Sequence, residues 1–135
     1  MKFRKVKKNI HVGYSPGEKY LAQVVKGETI DFKAMAAMIE KSTTVSRGDT
    51  LNVLDAMATA AVTMIKAGHN VKFDGLGIFD LKTKVKAMNT PEEVTADTIE
   101  RITIGFIPTV ELKDQMKSVS ISIDPYETEP TPPTP

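Results

Sequence analysis

The segment from residue 47 to residue 66 constrains the fold most, because apolar residues cover a wide part of its predicted helical surface. Ser46 and Asp49 resemble a capping box that opens a helix of about twenty residues, or roughly 30 Å, and Gly68 ends it. Two neighbouring apolar stripes run along this helix: a first stripe of Leu51, Leu54, Ala58, Ala61 and Ile65, and a second stripe of Val53, Met57, Ala60 and Met64. An apolar surface of this width needs more than one neighbour to cover it, which predicts that two copies of the chain pair.

The remaining pattern predicts a shorter helix before this one, several strands and a small closing helix. Alternation of apolar and polar residues indicates the strands, and Asp31 is a suitable N-cap for the additional helix. In chain order the predicted elements are a front hairpin with strands within 2–14 and 20–25, a helix over 32–41, a tight turn at Asp74-Gly75, a strand over 81–88, a polar stretch over 89–97, a return strand over 99–106, a short helix over 110–117 and a last strand over 119–123.

Positive charge is concentrated at the front of the chain, although the formal net charge is only +1. Residues 1–28 contain seven Lys or Arg and two acidic residues, whereas residues 109–135 contain two and five. The absence of cysteine excludes disulfides and thiolate metal sites. No apolar run is long enough for a membrane span, and no secretory signal is recognised, so a cytoplasmic protein is expected.

No constellation of residues typical of an enzyme is found. The sequence offers no nucleophile beside a base, no cluster of metal ligands and no glycine-rich loop that would hold phosphate. His11 and His69 lie far apart and lack acidic companions at metal-binding spacing. We therefore expect neither catalysis nor a bound metal or cofactor.

Two segments carry a resemblance to the HU/IHF family of histone-like DNA-binding proteins. Gly75–Phe79 is similar to the family's Gly-Phe-Gly-Thr-Phe segment, and Phe106–Asp114 resembles its Phe-Lys-Pro-Gly-Lys-x-Leu-Lys-Asp segment. The resemblance covers residues 31–117. The front hairpin and Thr90–Asp97 further resemble the HU-like subfamily of Bacteroides-type bacteria.

The resemblance implies an α+β fold of the HU/IHF type. A helical dimer core would carry an antiparallel sheet and a long β-ribbon arm, with the front hairpin as an addition. The implied divisions are a hairpin extension over 1–30, an HU-like DNA-binding domain over 31–123 and a flexible tail rich in proline and threonine over 124–135.

The function implied is architectural: a dimer that grips and bends double-stranded DNA with little regard to base sequence. The second subunit would be another copy or a different HU-like chain, and the place of action the nucleoid in the cytoplasm. Pro91 stands near the position of the family's proline that wedges between base pairs. The residues expected to contact DNA are Lys82, Lys84, Lys86, Pro91, Arg101 and Lys113.

Two alternatives stay open at this stage. A basic cluster at the front, formed by Lys2, Arg4, Lys5, Lys7 and Lys8, is either a second phosphate-binding patch or a set of edge-strand lysines that discourage aggregation. The arm has fewer arginines than HU arms, and its lysines are opposed by Glu92, Glu93, Asp97 and Glu100. These acids favour the alternative function, a protein-interaction or structural module on an HU scaffold that has lost most of its DNA binding.

Overall fold

The structure is a computed structural model that describes residues 1–127 of the chain. These residues form two compact units, one of Ile30–Lys117 and one that joins Met1–Thr29 to residues 118–127. The helices are α1 (Phe32–Ser42), α2 (Arg47–Lys66) and α3 (Val110–Lys117), and the strands are β1 (Lys2–Ile10), β2 (Gly17–Val24), β3 (Val71–Phe73), β4 (Gly77–Val85), β5 (Ile99–Pro108) and β6 (Ser122–Ile123).

Both long helices begin at the caps that the sequence predicts. The Asp31 carboxylate accepts a hydrogen bond from the Ala34 amide at 2.9 Å, and the Ser46 hydroxyl accepts one from the Asp49 amide at 3.1 Å. Gly68 follows α2 with a φ of 94°, in the left-handed region that glycine enters without strain. The boundaries of α1 and α2 are therefore set by local chemistry.

The two apolar stripes of α2 differ in how far the chain covers them. All five residues of the first stripe are half-buried, and α1 packs against α2. In the second stripe Val53 is 64% exposed, Met64 51% and Met57 38%. Among the described residues Ala36 is the only hydrophobic residue that is fully buried. This chain thus leaves much of its apolar surface in contact with water.

The larger unit contains an antiparallel sheet in the order β3-β4-β5. The turn between β3 and β4 places Gly75 at a φ of 78°, and the Leu76 amide donates to the Phe73 carbonyl at 2.9 Å. β4 and β5 pair from Gly77–Pro108 to Val85–Ile99, with a register shift between Lys84 and Val85. We call this two-stranded element, β4 with β5, the ribbon.

The smaller unit contains a three-stranded sheet in the order β2-β1-β6. The predicted front hairpin is present, since β1 and β2 pair along their length in antiparallel fashion. The predicted last strand over 119–123 is shorter, because only Ser122 and Ile123 form a strand, paired in parallel with Lys2 and Phe3. The chain from Ser118 onward therefore clusters with the front hairpin.

The α+β class is confirmed, and the elements occur in the predicted order. The domain boundaries at 30/31 and 123/124, the dimeric core and the projecting arm stay predictions. The first ribbon strand ends at Val85, three residues before the predicted Met88, because an extra residue in its partner strand interrupts the pairing between Lys84 and Val85. Most of the predicted tail, from residue 128, lies outside the described residues.

Candidate nucleic-acid interface

The ribbon has one charged face and one largely apolar face. Alternate β4 side chains point to the same side, so Lys82 and Lys84 share a face, opposite Thr103 and Arg101 of β5. The other face carries Phe79, Leu81, Thr83, Val85, Ile102, Ile104 and Phe106. Three of the cations predicted to contact DNA are thereby brought onto one surface of one element.

The Lys82 side chain lies over a glycine of the neighbouring strand, where no other side chain occupies the space. Its aliphatic chain crosses β5 at Gly105, where an added Cβ would lie 2.6 Å from Lys82 Cε and 2.9 Å from its Nζ. Among residues 1–127, no carboxylate lies within ion-pair distance of Lys82, Lys86 or Arg101. Those three cations remain available to an external anion.

Lys84 differs from its neighbours because it is already paired. Its ammonium lies 3.2 Å from Glu100 Oε2, with side-chain exposures of 69% for Lys84 and 33% for Glu100. Glu100 is the extra residue at the register shift, which lets its side chain reach the charged face. From the sequence, Glu100 is one of four acids expected to oppose the lysines of the arm. Its individual partner, Lys84, could not be identified, because the pairing depends on the register of β4 and β5.

The tip of the ribbon, residues 86–98, is an ordered connection with two short 3₁₀ turns rather than an extended loop. The Lys86 amide donates to the Thr98 carbonyl at 2.8 Å, which continues the pairing one step beyond β4. Two short 3₁₀ turns follow, Pro91–Glu93 and Ala96–Thr98, and Thr98 is only 8% exposed. The tip therefore presents a defined surface.

Pro91 lies at the first position of the earlier 3₁₀ turn and is exposed. Proline suits this position, because its fixed φ is close to that of the turn and its missing N–H has no partner there. Glu92 and Glu93 follow directly, and Glu93 Oε2 accepts a hydrogen bond from the Asn89 amide at 3.4 Å. Pro91 is thus a turn residue flanked by carboxylates.

Lys113 lies exposed on α3, a different element from the ribbon. α3 is held to the sheet at its start, where the Thr109 amide donates to the Leu76 carbonyl at 2.9 Å. The Thr109 hydroxyl accepts from the Leu112 amide at 3.3 Å. The segment around Lys113 is therefore fixed at its beginning by the turn after β3.

The front basic cluster is divided between the two faces of its sheet. On β1 the even-numbered Lys2, Arg4 and Lys8 lie on one face and the odd-numbered Lys5 and Lys7 on the other. Lys2 pairs with Asp124 at 3.1 Å, and the Arg4 guanidinium donates to Gln23 Oε1 at 3.0 Å. The five cations do not form one patch, a division that the parity of their positions already indicates.

Lys7 forms the second ion pair of this cluster. Its ammonium lies 3.0 Å from Glu18 Oε2 on the same face of the hairpin. The hydrogen bond from this ammonium to the Glu18 carboxylate, with the attraction between the two charges, raises the pKa of Lys7 above its ordinary value of 10.5. The side chain therefore stays charged further into the alkaline range.

Within the described residues, no three His, Cys, Asp or Glu side chains are grouped so as to hold a metal ion. None of the helices over residues 1–127 is both long and apolar enough to cross a bilayer. Neither result bears on residues 128–135.

The larger unit is an α+β arrangement of three helices and one three-stranded sheet, and two strands of that sheet form the lysine-bearing ribbon. The model of the HU-HIG family, described as an HU domain fused to a wHTH, Ig or glycine-rich motif, matches residues 1–122. The chain belongs to this family, which confirms the resemblance to HU proteins. The match also includes the front hairpin, which lies outside the HU/IHF resemblance read from the sequence.

A solved structure from Bacteroides vulgatus ATCC 8482, described as a candidate bacterial DNA-binding protein, has a similar fold. The two share a TM-score of 0.63 and 14% sequence identity over 95% of this chain. This chain spans 50% of the length of that protein. A search of curated proteins finds no match.

Proposed function

We propose that the chain is an architectural DNA-binding protein that acts as a dimer on double-stranded DNA. The observation that carries this proposal is the charged face of the ribbon, where Lys82 and Arg101 are exposed and free of acidic partners among the described residues. Membership of an HU-domain family supports it. Such a surface suits a phosphate backbone, because lysine and arginine bind phosphates without reading bases.

The dimer is supported by the second stripe of α2. Its side chains are exposed along a helix of 20 residues, and an exposed apolar surface of this kind marks an interaction site. A two-fold axis through α2 would bring the two second stripes together in an isologous interface. It would also supply two ribbons, so that one complex contacts the duplex twice. A different HU-like chain could cover the same stripe in a heterodimer.

Bending is the finer part of the proposal. Two ribbons that lie along the minor groove would bring Lys82, Lys84 and Lys86 near the phosphates, with Lys113 at the base. Pro91 is the residue that could wedge between bases, as an exposed apolar group at the tip. The carboxylates of Glu92 and Glu93 beside it would oppose close approach to phosphates, so we expect bending without deep insertion. The site of action would be the nucleoid.

A second candidate function is supported by the ion pair and the acidic tip. Lys84 is already paired with Glu100, and Glu92, Glu93 and Asp97 are exposed at the tip. A tip with this charge suits a basic protein partner better than DNA. In this alternative the HU scaffold is retained as a protein-interaction module with weak DNA binding.

Duplex binding at two salt concentrations tests the proposal against this alternative. With 6–10 phosphates bound, affinity falls by about 10³–10⁵ between 50 and 200 mM salt. Replacing Lys82, Lys84 and Lys86 together by glutamine lowers the salt slope by about 0.9 for each phosphate that is no longer neutralised. Lys33→Gln, an exposed lysine on α1, is the matched control and leaves the slope unchanged.

The outcomes separate the two functions. Steep salt dependence that the triple ribbon variant flattens supports the architectural function, and a bend measured by cyclisation or fluorescence transfer supports its finer part. If the folded chain does not bind duplex DNA at low salt, the result supports the alternative function, a protein-interaction module. Binding whose salt slope is equal in the triple variant and the wild type moves the DNA site away from the ribbon.

A further inference from the structure

One face of the front sheet carries two exposed aromatic rings. Tyr20 of β2 and Tyr126, which follows β6, meet edge to face with ring centroids 5.3 Å apart and an interplanar angle of 85°. Tyr20 is 60% exposed and Tyr126 40%, so each ring keeps much of its surface open to solvent. Exposed rings in a basic sheet are not needed to fill a core.

An open concavity of about 510 Å³ lies beside this ring pair. It is lined by Lys5, Tyr20, Leu21, Ala22, Ile123 and Tyr126. A second concavity of about 760 Å³ shares Lys5 and Tyr126 with the first, and its charged lining residues are Lys2, Arg4, Lys5, Lys7, Asp124 and Glu127. The face that carries Tyr20 therefore combines aromatic ring surfaces with the two cations on the same side of β1, Lys5 and Lys7.

Lys5 is the cation best placed to bind an anion at this site. It lies on the same face as Tyr20, since β1 and β2 pair Lys5 with Ala22 and Lys7 with Tyr20. Lys2 and Lys7 are held by Asp124 and Glu18, whereas no carboxylate within residues 1–127 lies in ion-pair distance of Lys5. An anion that reached Lys5 would not first have to displace an acidic side chain.

We propose that this face binds single-stranded DNA, with bases stacked on Tyr20 and Tyr126 and a phosphate at Lys5. A strand with unpaired bases presents planar rings and an anion in alternation, which is the chemistry that aromatic and basic side chains recognise on a sheet. Duplex DNA keeps its base faces stacked within the helix and cannot cover the rings. An acidic peptide would satisfy Lys5 but offers no planar group to the tyrosines.

This site goes beyond the proposed function. It uses none of the ribbon residues and recognises unpaired rather than paired DNA. An HU-like protein with both sites could hold duplex DNA and a neighbouring unpaired stretch in one complex.

Tyrosine fluorescence gives a direct test, because the chain contains no tryptophan and its three tyrosines, Tyr14, Tyr20 and Tyr126, all belong to the smaller unit. We expect a short oligothymidylate to quench this emission in the full-length chain at low salt, after correction for absorption with free tyrosine. Fluorescence anisotropy of a labelled oligothymidylate measures the affinity independently.

Variants separate stacking from charge. Tyr20→Ala weakens binding by about 5-fold or more, which corresponds to the loss of one stacked base, and Tyr20→Phe restores it. Lys5→Gln lowers the salt slope by about 0.7, the value for one phosphate of a single strand. Lys8→Gln removes the same charge from the opposite face of β1 and leaves the slope unchanged. Tyr14→Phe, in the hairpin turn, is the control for the tyrosines.

The outcomes do not depend on the ribbon. The triple variant at Lys82, Lys84 and Lys86 has weaker duplex binding with a flatter salt slope but keeps the quenching by oligothymidylate, so each site can fail without the other. The proposal is overturned if oligothymidylate does not quench, if Lys5→Gln and Lys8→Gln behave alike, or if oligoglutamate quenches in its place. Should Tyr20→Ala fail to fold, the lysine pair decides.

Discussion

The ammonium of Lys84 lies 3.2 Å from Oε2 of Glu100 on the charged face of the ribbon, beside the point where the register of β4 and β5 shifts. The bulge therefore adds a second carboxylate, after that of Asp80, to the face that carries Lys82, Lys84 and Arg101. A phosphate that approaches Lys84 has to replace this partner. Because both side chains are partly exposed, the pair contributes only about 0.2–1 kcal/mol, and a phosphate can displace it.

Removal of this carboxylate should strengthen binding to duplex DNA. We expect Glu100→Gln to lower the Kd by up to about 5-fold at low salt, which corresponds to the release of an exposed ion pair. Fluorescence anisotropy with a labelled duplex measures the change. Glu28→Gln, which removes one exposed acid between β2 and α1, is the control. Equal gains in both variants would indicate a general charge effect rather than the release of Lys84.

Two glycines of the ribbon should respond oppositely to the same substitution. An added Cβ at Gly77 would lie 2.5 Å from the Ile107 carbonyl oxygen and from the Phe106 ring, so Gly77→Ala forces backbone to move. At Gly105 the obstacle is the end of the flexible Lys82 side chain, which can swing away. We expect Gly77→Ala to cost about 1–3 kcal/mol and Gly105→Ala less than about 0.5 kcal/mol.

Thermal unfolding followed by circular dichroism compares these two variants in one experiment. A Tm of Gly105→Ala as low as that of Gly77→Ala would contradict the packing described for Lys82. In addition, Gly105→Ala shifts the Lys82 ammonium, so its duplex affinity should change while its Tm does not.

The second stripe of α2 should control the oligomeric state. Val53→Asp places a charge on the side chain that is 64% exposed in the single chain, and we expect it to abolish the dimer at micromolar concentration. Light scattering or sedimentation gives the mass. Asn52→Asp adds the same charge at an exposed polar residue of α2 that belongs to neither stripe, and it should leave the dimer intact. A wild-type chain that is monomeric and folded at this concentration would refute the assignment.

The ion pair of the front hairpin should be visible as a raised pKa. The Glu18 carboxylate raises the pKa of Lys7, so its contribution to stability is present below the unfolded-state pKa of about 10.5 and is lost as the pH rises through the folded-state value. An NMR titration of the lysine Cε resonances should show a pKa for Lys7 above its ordinary value of 10.5. Glu18→Gln should lower the pKa of Lys7, and an unchanged pKa in this variant would disprove the pairing.

The parts of the fold that depend on local chemistry could be predicted from the sequence. The caps at Asp31 and Ser46 and the glycines at 68 and 75 fix their backbone within a few residues, so helices and the tight turn were found. The same holds for Lys82 and Lys84, whose shared face follows from strand alternation alone.

The parts that depend on distant partners could not be predicted. Nothing in the alternation from residue 81 to residue 88 tells that the partner strand carries an extra residue at Glu100, so the end of β4 and the Lys84 ion pair were both missed. Likewise, β6 is two residues long and exists only because Lys2 and Phe3 offer it an edge. The register of Arg101 depends on the length of the tip, which the two 3₁₀ turns set.

Within residues 1–127, Ala36 is the one apolar residue that is fully buried, and this affects how stable a single chain is in the cell. A single chain that buries so little apolar surface has a small free energy of unfolding. In the proposed dimer, association would therefore contribute most of the stability. By mass action, its melting temperature would then rise with its own concentration. The abundance of the chain would decide how much of it is folded, and newly made copies at low copy number would be readily degraded by proteases.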